Sequence, residues 1–280
     1  MWILIIILLI IIICIISNYE HKCITTSKYE IQYNKLLNNS ESLSLVVLSD
    51  LHNNNFGDNY NILIKEIDKL SPDYILIAGD MITKRKDSMS GPAIKILKQL
   101  SQKYKIIYGF GNHEQYIKLN DSNNFEKFQN ELTKHGVIFL DNKTKTIKID
   151  NKHINITGIN LDLDYYYNNN LGLTSDKIDF IIGKPQDNAY NILIAHNPNY
   201  FNQYIEWGAD LILSGHLHGG IIRLPLLGGI IAPKLKFFPK YAEGQFCKDN
   251  KSMIVSRGLG SHTIKLRLFN KPEIISIIIK

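Results

Sequence analysis

Five short polar motifs in the sequence place histidine, aspartate and asparagine at spacings that could bind metal ions. They are Asp50-Leu51-His52, Gly79-Asp80, Gly111-Asn112-His113-Glu114, His196-Asn197-Pro198 and Gly215-His216-Leu217-His218. In the D-x-H and H-x-H motifs, alternate residues of an extended chain project to the same side, so both side chains can reach one ion. A mixture of imidazole nitrogen, carboxylate and amide oxygen suits Mn²⁺, Fe or Zn²⁺ better than Ca²⁺ or a thiolate zinc site. These residues therefore predict a centre for divalent metal ions.

Each motif taken alone is more typical of a capped turn or a structural histidine than of a metal ligand. Five motifs in order, each expected at the end of a buried strand, favour a single site instead, and they hold five of the nine histidines. The other four histidines have no such setting and are interpreted as surface or structural residues: His21, His135, His153 and His262.

The elements that must position these motifs alternate between short hydrophobic strands and amphipathic helices. Strands are predicted at 44–49, 74–78, 105–110, 137–140, 144–149, 153–159, 191–195, 210–213, 253–256, 265–269 and 274–279. Helices are predicted at 60–70, at 92–103, at 124–135 and after residue 174. This alternation is typical of an α/β sandwich with parallel strand pairs. The carboxyl ends of such strands converge at one rim, where the motifs are expected to meet.

Composition excludes several classes of protein. With 45% hydrophobic and 21% charged residues, the chain is neither disordered nor collagen-like. Three cysteines, an odd number without a spaced pattern, argue against a disulfide framework. The sequence holds neither a dinucleotide-binding glycine motif nor a nucleophile elbow, so dehydrogenase and serine-hydrolase functions are excluded.

The first 17 residues carry no charged side chain, and all 32 basic and 26 acidic residues lie in the rest of the chain. From Trp2 through Tyr19, a helix would extend about 26 Å, close to the roughly 30 Å hydrocarbon core of a bilayer. A cleaved signal peptide is the alternative, but a basic start and a small-residue cleavage site are both missing. We expect a single-pass membrane anchor at 1–19, a juxtamembrane segment with a first strand at 20–42, and one folded domain at 43–280. The side of the membrane on which that domain lies is left open.

The order D-x-H, G-D, G-N-H-E, H and G-H-x-H resembles the motif order of the calcineurin-like metallophosphoesterase superfamily. The stretches HGGIIRLPLLGGIIAP, FPKYAEGQF, SRGLG and RLFNKPEI look like its membrane-associated YkuE/YaeI-type branch. This resemblance covers residues 28–280 and implies a four-layer αββα sandwich for the folded domain. It also implies a hydrolase that cleaves phosphoester or pyrophosphate bonds, with phosphodiesterase activity expected.

Carried over residue by residue, the resemblance implies two divalent metal ions that share one carboxylate. Asp50, His52, Asp80 and His218 would hold the first ion, and Asp80, Asn112, His196 and His216 would hold the second. A hydroxide shared by two such ions can attack phosphorus at neutral pH, while the ions neutralise the phosphoryl oxygens. His113 would stand beside the ions and contact phosphate or assist the leaving group.

Residues 221–241, which follow the last motif, mix large apolar side chains with Arg223, Lys234, Lys236 and Lys240. They form either a structural excursion packed on the sheet or a lid that touches lipid headgroups, because apolar residues beside basic ones suit an anionic membrane surface. A lid predicts a phosphorylated lipid or a lipid-linked nucleotide as substrate. Arg223 and Lys234 are the candidate substrate-binding residues.

Two other functions stay open from the sequence. A nuclease or a soluble-nucleotide phosphodiesterase would use the same chemistry, but no stripe of Lys and Arg interleaved with stacking aromatic residues is visible, so nucleic acid is not favoured. A non-catalytic membrane scaffold would predict the loss of at least one ligand, and all seven ligand positions and His113 are intact. The oligomeric state and the native metals are left open.

Overall fold

The computed structural model of the chain describes residues 2–32, 42–85, 91–149, 152–168, 171–220, 222–224, 228–232, 236–261 and 266–280. Two six-stranded sheets lie face to face in this part of the chain, with helices on both outer surfaces. The predicted four-layer αββα sandwich is therefore confirmed.

The first sheet contains the five described strands of the first half of the sequence together with the C-terminal strand. Its order is β1 (Thr25–Ile31), β15 (Glu273–Ile279), β2 (Leu43–Leu48), β3 (Tyr74–Ala78), β4 (Lys105–Gly109) and β5 (Ile138–Leu140). Strands β2 to β5 are parallel, whereas β15 runs antiparallel to β2 and parallel to β1. Buried residues occur without alternation in β3, as expected for a parallel strand covered on both faces.

The second sheet has the same size and a similar parallel centre. Its order is β13 (Gly244–Lys248), β14 (Lys251–Val255), β9 (Leu211–Ser214), β8 (Tyr190–Ala195), β7 (Lys152–Ile159) and β6 (Lys143–Ile149). Strands β14, β9, β8 and β7 are parallel, and the two edge strands are antiparallel to their neighbours. Both sheets therefore present several strand carboxyl ends, where a site can be assembled from more than one strand.

Side chains of successive residues alternate between two of the three hydrophobic cores. In β2, Leu45 and Val47 contribute to the core between the two sheets, whereas Val46 and Leu48 contribute to the core beneath the helices of the first sheet. That outer layer holds α2 (Asn61–Leu70), α3 (Pro92–Ser101) and α5 (Ser122–Lys134). On the second sheet, α7 (Ser175–Ile182) and α8 (Phe201–Trp207) form the opposite layer.

The segment predicted as an excursion or lid contains a small third sheet. Its strands are β10 (Ile222–Leu224), β11 (Gly228–Ala232) and β12 (Lys236–Phe237). The backbone N–H of Arg223 donates to the carbonyl of Leu268 at 3.0 Å, which joins this sheet to the loop that precedes β15. Lys234 lies outside the described residues.

The predicted strand at 265–269 is wrong. Residue 265 is outside the described part of the chain, and residues 266–269 contain only a single bridge at Leu268. The physical reason is Arg267, whose guanidinium is buried and bonds to surrounding loop carbonyls rather than lying on a sheet face. The elements that were not predicted include α4 (Asn112–Asn120), α8, β13 and the three strands of the small sheet. The short helix α6 (Asp164–Tyr167) was also not predicted.

The N-terminal helix α1 (Trp2–Glu20) extends about 28 Å at 1.5 Å per residue. Among the described residues it is the one helix long and apolar enough to cross a membrane, a property shared with signal sequences. Its apolar side chains are exposed from Trp2 to Ile15, as far as they are described, whereas Ser17 and Glu20 at its end are buried.

Candidate active site

The structure brings all eight sequence-predicted metal-ligand and catalytic residues to one rim, at the carboxyl ends of five strands. Asp50 and His52 follow β2, Asp80 follows β3, Asn112 and His113 follow β4, His196 follows β8, and His216 and His218 follow β9. Both sheets contribute, because β2, β3 and β4 belong to the first sheet and β8 and β9 to the second. The six residues other than His216 and His218 are buried, and those two are partly exposed.

Sharp backbone turns aim these side chains at one another. Five of the residues have left-handed backbone angles: Asp50 (φ 51°), His52 (φ 48°), Asp80 (φ 56°), His216 (φ 73°) and His218 (φ 54°). Such angles in non-glycine residues cost about 1–3 kcal/mol each and concentrate at functional sites. The extended backbone expected for the D-x-H and H-x-H motifs is therefore wrong, because their side chains converge through left-handed turns that the surrounding structure holds in place.

Two glycines make room for the two carboxylates. A Cβ atom on Gly111 would overlap the Asp80 carboxylate, and one on Gly215 would overlap the Asp50 carboxylate. A third glycine, Gly79, approaches the His196 ring so closely that a Cβ atom would lie 2.7 Å from Nδ1. Only a residue without a side chain allows the loops to approach one another so closely.

The first cluster consists of Asp50, His52 and His218, whose ligand atoms lie within 4.8 Å of one another. The two histidines face each other with their Nε2 atoms 3.2 Å apart. Their Nδ1 atoms contact carbonyl oxygens, of Ile82 at 3.4 Å for His52 and of Gly260 at 3.2 Å for His218. A carbonyl accepts and cannot donate, so a ring that donates from Nδ1 to its carbonyl presents Nε2 as a possible ligand atom. A cation between the two rings could then be bound by both Nε2 atoms.

The second cluster consists of Asp80, His196 and His216, again with ligand atoms within 4.8 Å. His196 donates from Nδ1 to the carbonyl of Ala78 at 2.6 Å, and its Nε2 lies 3.1 Å from the Asp80 carboxylate. Asn112 belongs to the same rim, and its Oδ1 is buried without a hydrogen-bond partner among the described residues. A buried amide oxygen without a donor costs free energy, and a metal ion would supply the missing partner.

Asp80 connects the two clusters, because a third possible ligand group joins it to His52 and His113. The backbone N–H of His113 donates to Asp80 Oδ1 at 2.8 Å, and the His113 Nε2 atom lies 3.8 Å from Oδ2. The rings of His113 and His52 have centroids 4.7 Å apart. His113 is thus placed beside both clusters.

Electrostatics of the buried cluster also favours cations. Burial alone would raise the pKa of Asp80, but the neighbouring histidines His196 and His113 hold it well below its usual range. Burial opposes charge on His196 as well, yet the carboxylates of Asp80 and Asp50 raise its pKa to about 10. Burial and the nearby Arg267 lower the pKa of His218 to about 3, so that ring is neutral at physiological pH. The Asp80 carboxylate is therefore held in its charged form by neighbouring positive charge, which divalent ions would supply, whereas burial raises the pKa of Asp50.

Glu114 is a residue of this site to which the sequence analysis assigned no role. Its carboxylate is fully buried and accepts hydrogen bonds from the backbone N–H groups of Asp80 (2.8 Å), Met81 (2.9 Å), Ile82 (3.4 Å) and Gly111 (3.0 Å). The hydroxyl of Tyr108 donates a fifth bond at 2.7 Å. Glu114 thereby ties the loop after β3 to the start of α4. The signal available in the sequence was the glutamate at the end of the G-N-H-E motif. Its hydrogen-bond partners could not be predicted, because the tertiary structure sets them.

The structure describes one of the two candidate substrate-binding residues, Arg223. Arg223 forms an ion pair with Glu243, which also lies 3.3 Å from Arg257. Its proposed contact with substrate stays a prediction, as does that of Lys234, which the structure does not describe.

Comparison with known proteins agrees with this geometry. Residues 43–220 match the sequence model of the calcineurin-like phosphoesterases, so the chain belongs to this family and is a metallophosphoesterase, a hydrolase of phosphoester bonds. The uncharacterized metallophosphoesterase YkuE of Bacillus subtilis is 25% identical over 265 residues, which cover 93% of this chain and 87% of the relative. A transmembrane protein with a metallophosphoesterase domain from Danio rerio is 27% identical over 264 residues, which cover 90% of this chain and 56% of that protein. The structure of phosphopantetheinyl hydrolase from Mycobacterium tuberculosis is similar with 13% identity and a TM-score of 0.45, covering 76% of this chain and 88% of that one.

Proposed function

We propose that this protein binds two divalent metal ions at the rim and hydrolyses phosphodiester or pyrophosphate bonds in a phosphorylated lipid or lipid-linked nucleotide at the membrane. One observation carries the metal centre. The Asp50–His52–His218 and Asp80–His196–His216 clusters are each compact, and Asp80 stands between them.

The residues fit a shared-carboxylate centre. Asp50, His52 and His218 would hold one ion and His196, His216 and Asn112 the other, with Asp80 common to both. Divalent ions in such a centre lower the pKa of water and neutralise phosphoryl oxygens. Carbonyl oxygens lie within hydrogen-bond distance of Nδ1 in His52, His218 and His196, which supports Nε2 as the ligand atom of each ring.

We assign His113 the role of proton donor, and two contacts support this. Its backbone N–H is fixed by Asp80 and its ring lies among the ligand side chains. A donor that protonates the departing oxygen contributes typically about 10²- to 10⁴-fold to the rate. His113 would give its proton to that oxygen, and the Asp80 carboxylate nearby would stabilise the protonated ring before transfer.

Helix α1 supports the membrane part of the proposal. Its exposed apolar side chains suit a bilayer, with Trp2 at one end and Tyr19 at the other, where aromatic rings prefer the two interfaces. A substrate whose lipid part stays in the bilayer would then reach the rim by diffusing within the membrane.

A substrate panel tests this function. The full chain, purified in detergent and loaded with Mn²⁺, would be assayed on a phosphomonoester, a phosphodiester, a nucleotide-sugar and a lipid-linked pyrophosphate. We expect the largest kcat/KM on the lipid-linked substrate and none in the Asp80→Ala variant. Asp187, an exposed aspartate in a turn, gives the matched control Asp187→Ala, which should retain full activity. Equal kcat/KM on the nucleotide-sugar and the lipid-linked substrate would contradict the membrane part of the proposal.

A further inference from the structure

The end of the N-terminal helix is part of the folded domain, although the rest of the helix is exposed. Trp2 and Ile15 are 73% and 64% exposed, whereas Ser17 and Glu20 are 4% and 6% exposed. A flexible tether would leave all of these side chains in solvent or lipid. Burial of a carboxylate is costly unless it is hydrogen-bonded, so the partner of Glu20 matters.

Three hydrogen bonds join this helix end to the loop that precedes β15. The Ser17 hydroxyl accepts from the backbone N–H of Arg267 at 3.0 Å, and the Glu20 carboxylate accepts from the backbone N–H of Asn270 at 3.0 Å. The ring of His21 lies 3.1 Å from the Ser261 hydroxyl. These bonds link positions about 250 residues apart in the sequence, so the tertiary structure alone creates them.

The same loop forms hydrogen bonds with the predicted metal ligand His218. The side-chain amide of Asn270 donates to the backbone carbonyl of His218 at 2.7 Å and to that of Gly220. On the other side, the carbonyl of Gly260 contacts the His218 ring at Nδ1. His218 is therefore fixed at its backbone by Asn270 and at its ring by Gly260.

Arg267 joins these two supports. Its side chain is 1% exposed, and its guanidinium donates to the carbonyls of Gly260 at 2.7 Å, Gly258 at 3.1 Å and Asn270 at 3.0 Å. A buried guanidinium needs most of its donors satisfied, so the loop residues 257–261 and 266–270 must stay together. Glu20 contributes negative charge near this cation.

We infer that Glu20 and Ser17, at the end of the membrane helix, are positioning residues for the metal ligand His218 and act through Asn270 and Arg267. This inference rests on the proposed metal centre. The end of the helix is then a structural component of the site as well as part of an anchor. Removal of the N-terminal segment would leave the backbone N–H groups of Arg267 and Asn270 without their acceptors. Attachment to the membrane and assembly of the site are thus coupled.

The test compares five variants of the full chain in detergent micelles: Glu20→Ala, Glu20→Gln, Asn270→Ala, the double variant Glu20→Ala/Asn270→Ala and the control Glu30→Ala. Glu30 is an exposed glutamate that pairs with Lys280 at the protein surface. Titration with Mn²⁺ measures the two metal affinities, and hydrogen exchange follows the amides of Leu259 and Gly260, which donate to the carbonyls of Ser49 and Asp50. Melting temperature reports whether each variant is folded.

Glu20→Ala is expected to weaken one of the two metal affinities by about 10- to 100-fold, the range for residues that orient a ligand, and to speed exchange at 259–260. Glu20→Gln keeps an oxygen acceptor for Asn270 and should restore the affinity, and Glu30→Ala should change nothing. In the double variant Glu20→Ala/Asn270→Ala, the affinity should match that of Asn270→Ala alone, because both changes break one path.

Several results would overturn the inference. One is an unchanged metal affinity in a folded Glu20→Ala variant, and another is an equal loss of affinity for both metal ions. The inference would also fail if Glu20→Gln did not restore the affinity, or if the fold-losses of the two single variants multiplied in the double variant. If the unmodified chain binds no Mn²⁺, the proposed function fails, and the exchange rates at 259–260 alone decide whether the helix end supports the loop.

Discussion

The substitution Glu114→Gln tests whether a buried carboxylate behind the rim holds the site together. Oε1 accepts from Met81, Ile82 and Tyr108, and Oε2 accepts from Asp80 and Gly111. Glutamine replaces one of these oxygens with an NH₂ group, which cannot accept. If the NH₂ group takes the Oε2 position, the N–H groups of Asp80 and Gly111 lose their acceptor. In the opposite orientation Tyr108 can turn its hydroxyl to accept, but Met81 and Ile82 lose theirs.

At least two buried backbone N–H groups are therefore left unsatisfied in either orientation. Each costs about 1–3 kcal/mol, so the free energy of unfolding should fall by about 2–6 kcal/mol. In the first orientation one of these groups is the N–H of Asp80, and in the second they are those of Met81 and Ile82, which directly follow Asp80. Metal affinity should therefore fall in either case.

The assay is urea denaturation of the full chain in detergent. Unfolding would be followed by the fluorescence of Trp207, which is buried in the core between the second sheet and helices α7 and α8. The Trp2→Phe substitution in all variants removes the other tryptophan of the chain. Glu126→Gln, an exposed glutamate on α5, serves as the matched control and should change stability by less than about 0.5 kcal/mol. A loss below about 1 kcal/mol for Glu114→Gln, with normal metal affinity, would refute the reasoning.

Three further outcomes follow from the same contacts. His113→Ala should keep both metal ions but lose about 10²- to 10⁴-fold in kcat, and near-normal turnover on a phosphodiester would remove its role as proton donor. Gly215→Ala should weaken metal binding, because the new methyl group overlaps the Asp50 carboxylate, and unchanged affinity by Mn²⁺ titration would contradict the close approach. Chelation with EDTA should lower the melting temperature and added Mn²⁺ should restore it, since ions that bind only the folded state stabilise it; a melting temperature indifferent to both would argue against a metal centre.

The regular strands could be predicted from sequence because their hydrophobic runs are short, continuous and bounded by polar motifs. The strand at 74–78 was predicted with the bounds that the structure shows, and the motifs at the strand ends do meet at one rim. Helix α4 was not predicted because it begins within the G-N-H-E motif, where polar residues of the site obscure the helical spacing of apolar ones.

What could not be predicted depends on contacts between distant parts of the chain. Arg267 lies in a stretch whose alternating apolar residues indicate a strand, yet its guanidinium is bonded to carbonyls of a loop seven to ten residues earlier. Glu20 and Ser17 belong to a segment interpreted only as an anchor, and their partners lie 250 positions away. No local pattern encodes such pairings, because they are set by how the two chain ends pack.

Metal stoichiometry of the purified full chain tests the central claim most directly. After equilibration with Mn²⁺ and removal of free ions, elemental analysis should find about two ions per chain. Asp80→Ala should lose both ions together, because Asp80 lies in both clusters, whereas Asp187→Ala should keep both. Two ions retained in a folded Asp80→Ala variant would contradict the shared-carboxylate centre on which the proposed function depends.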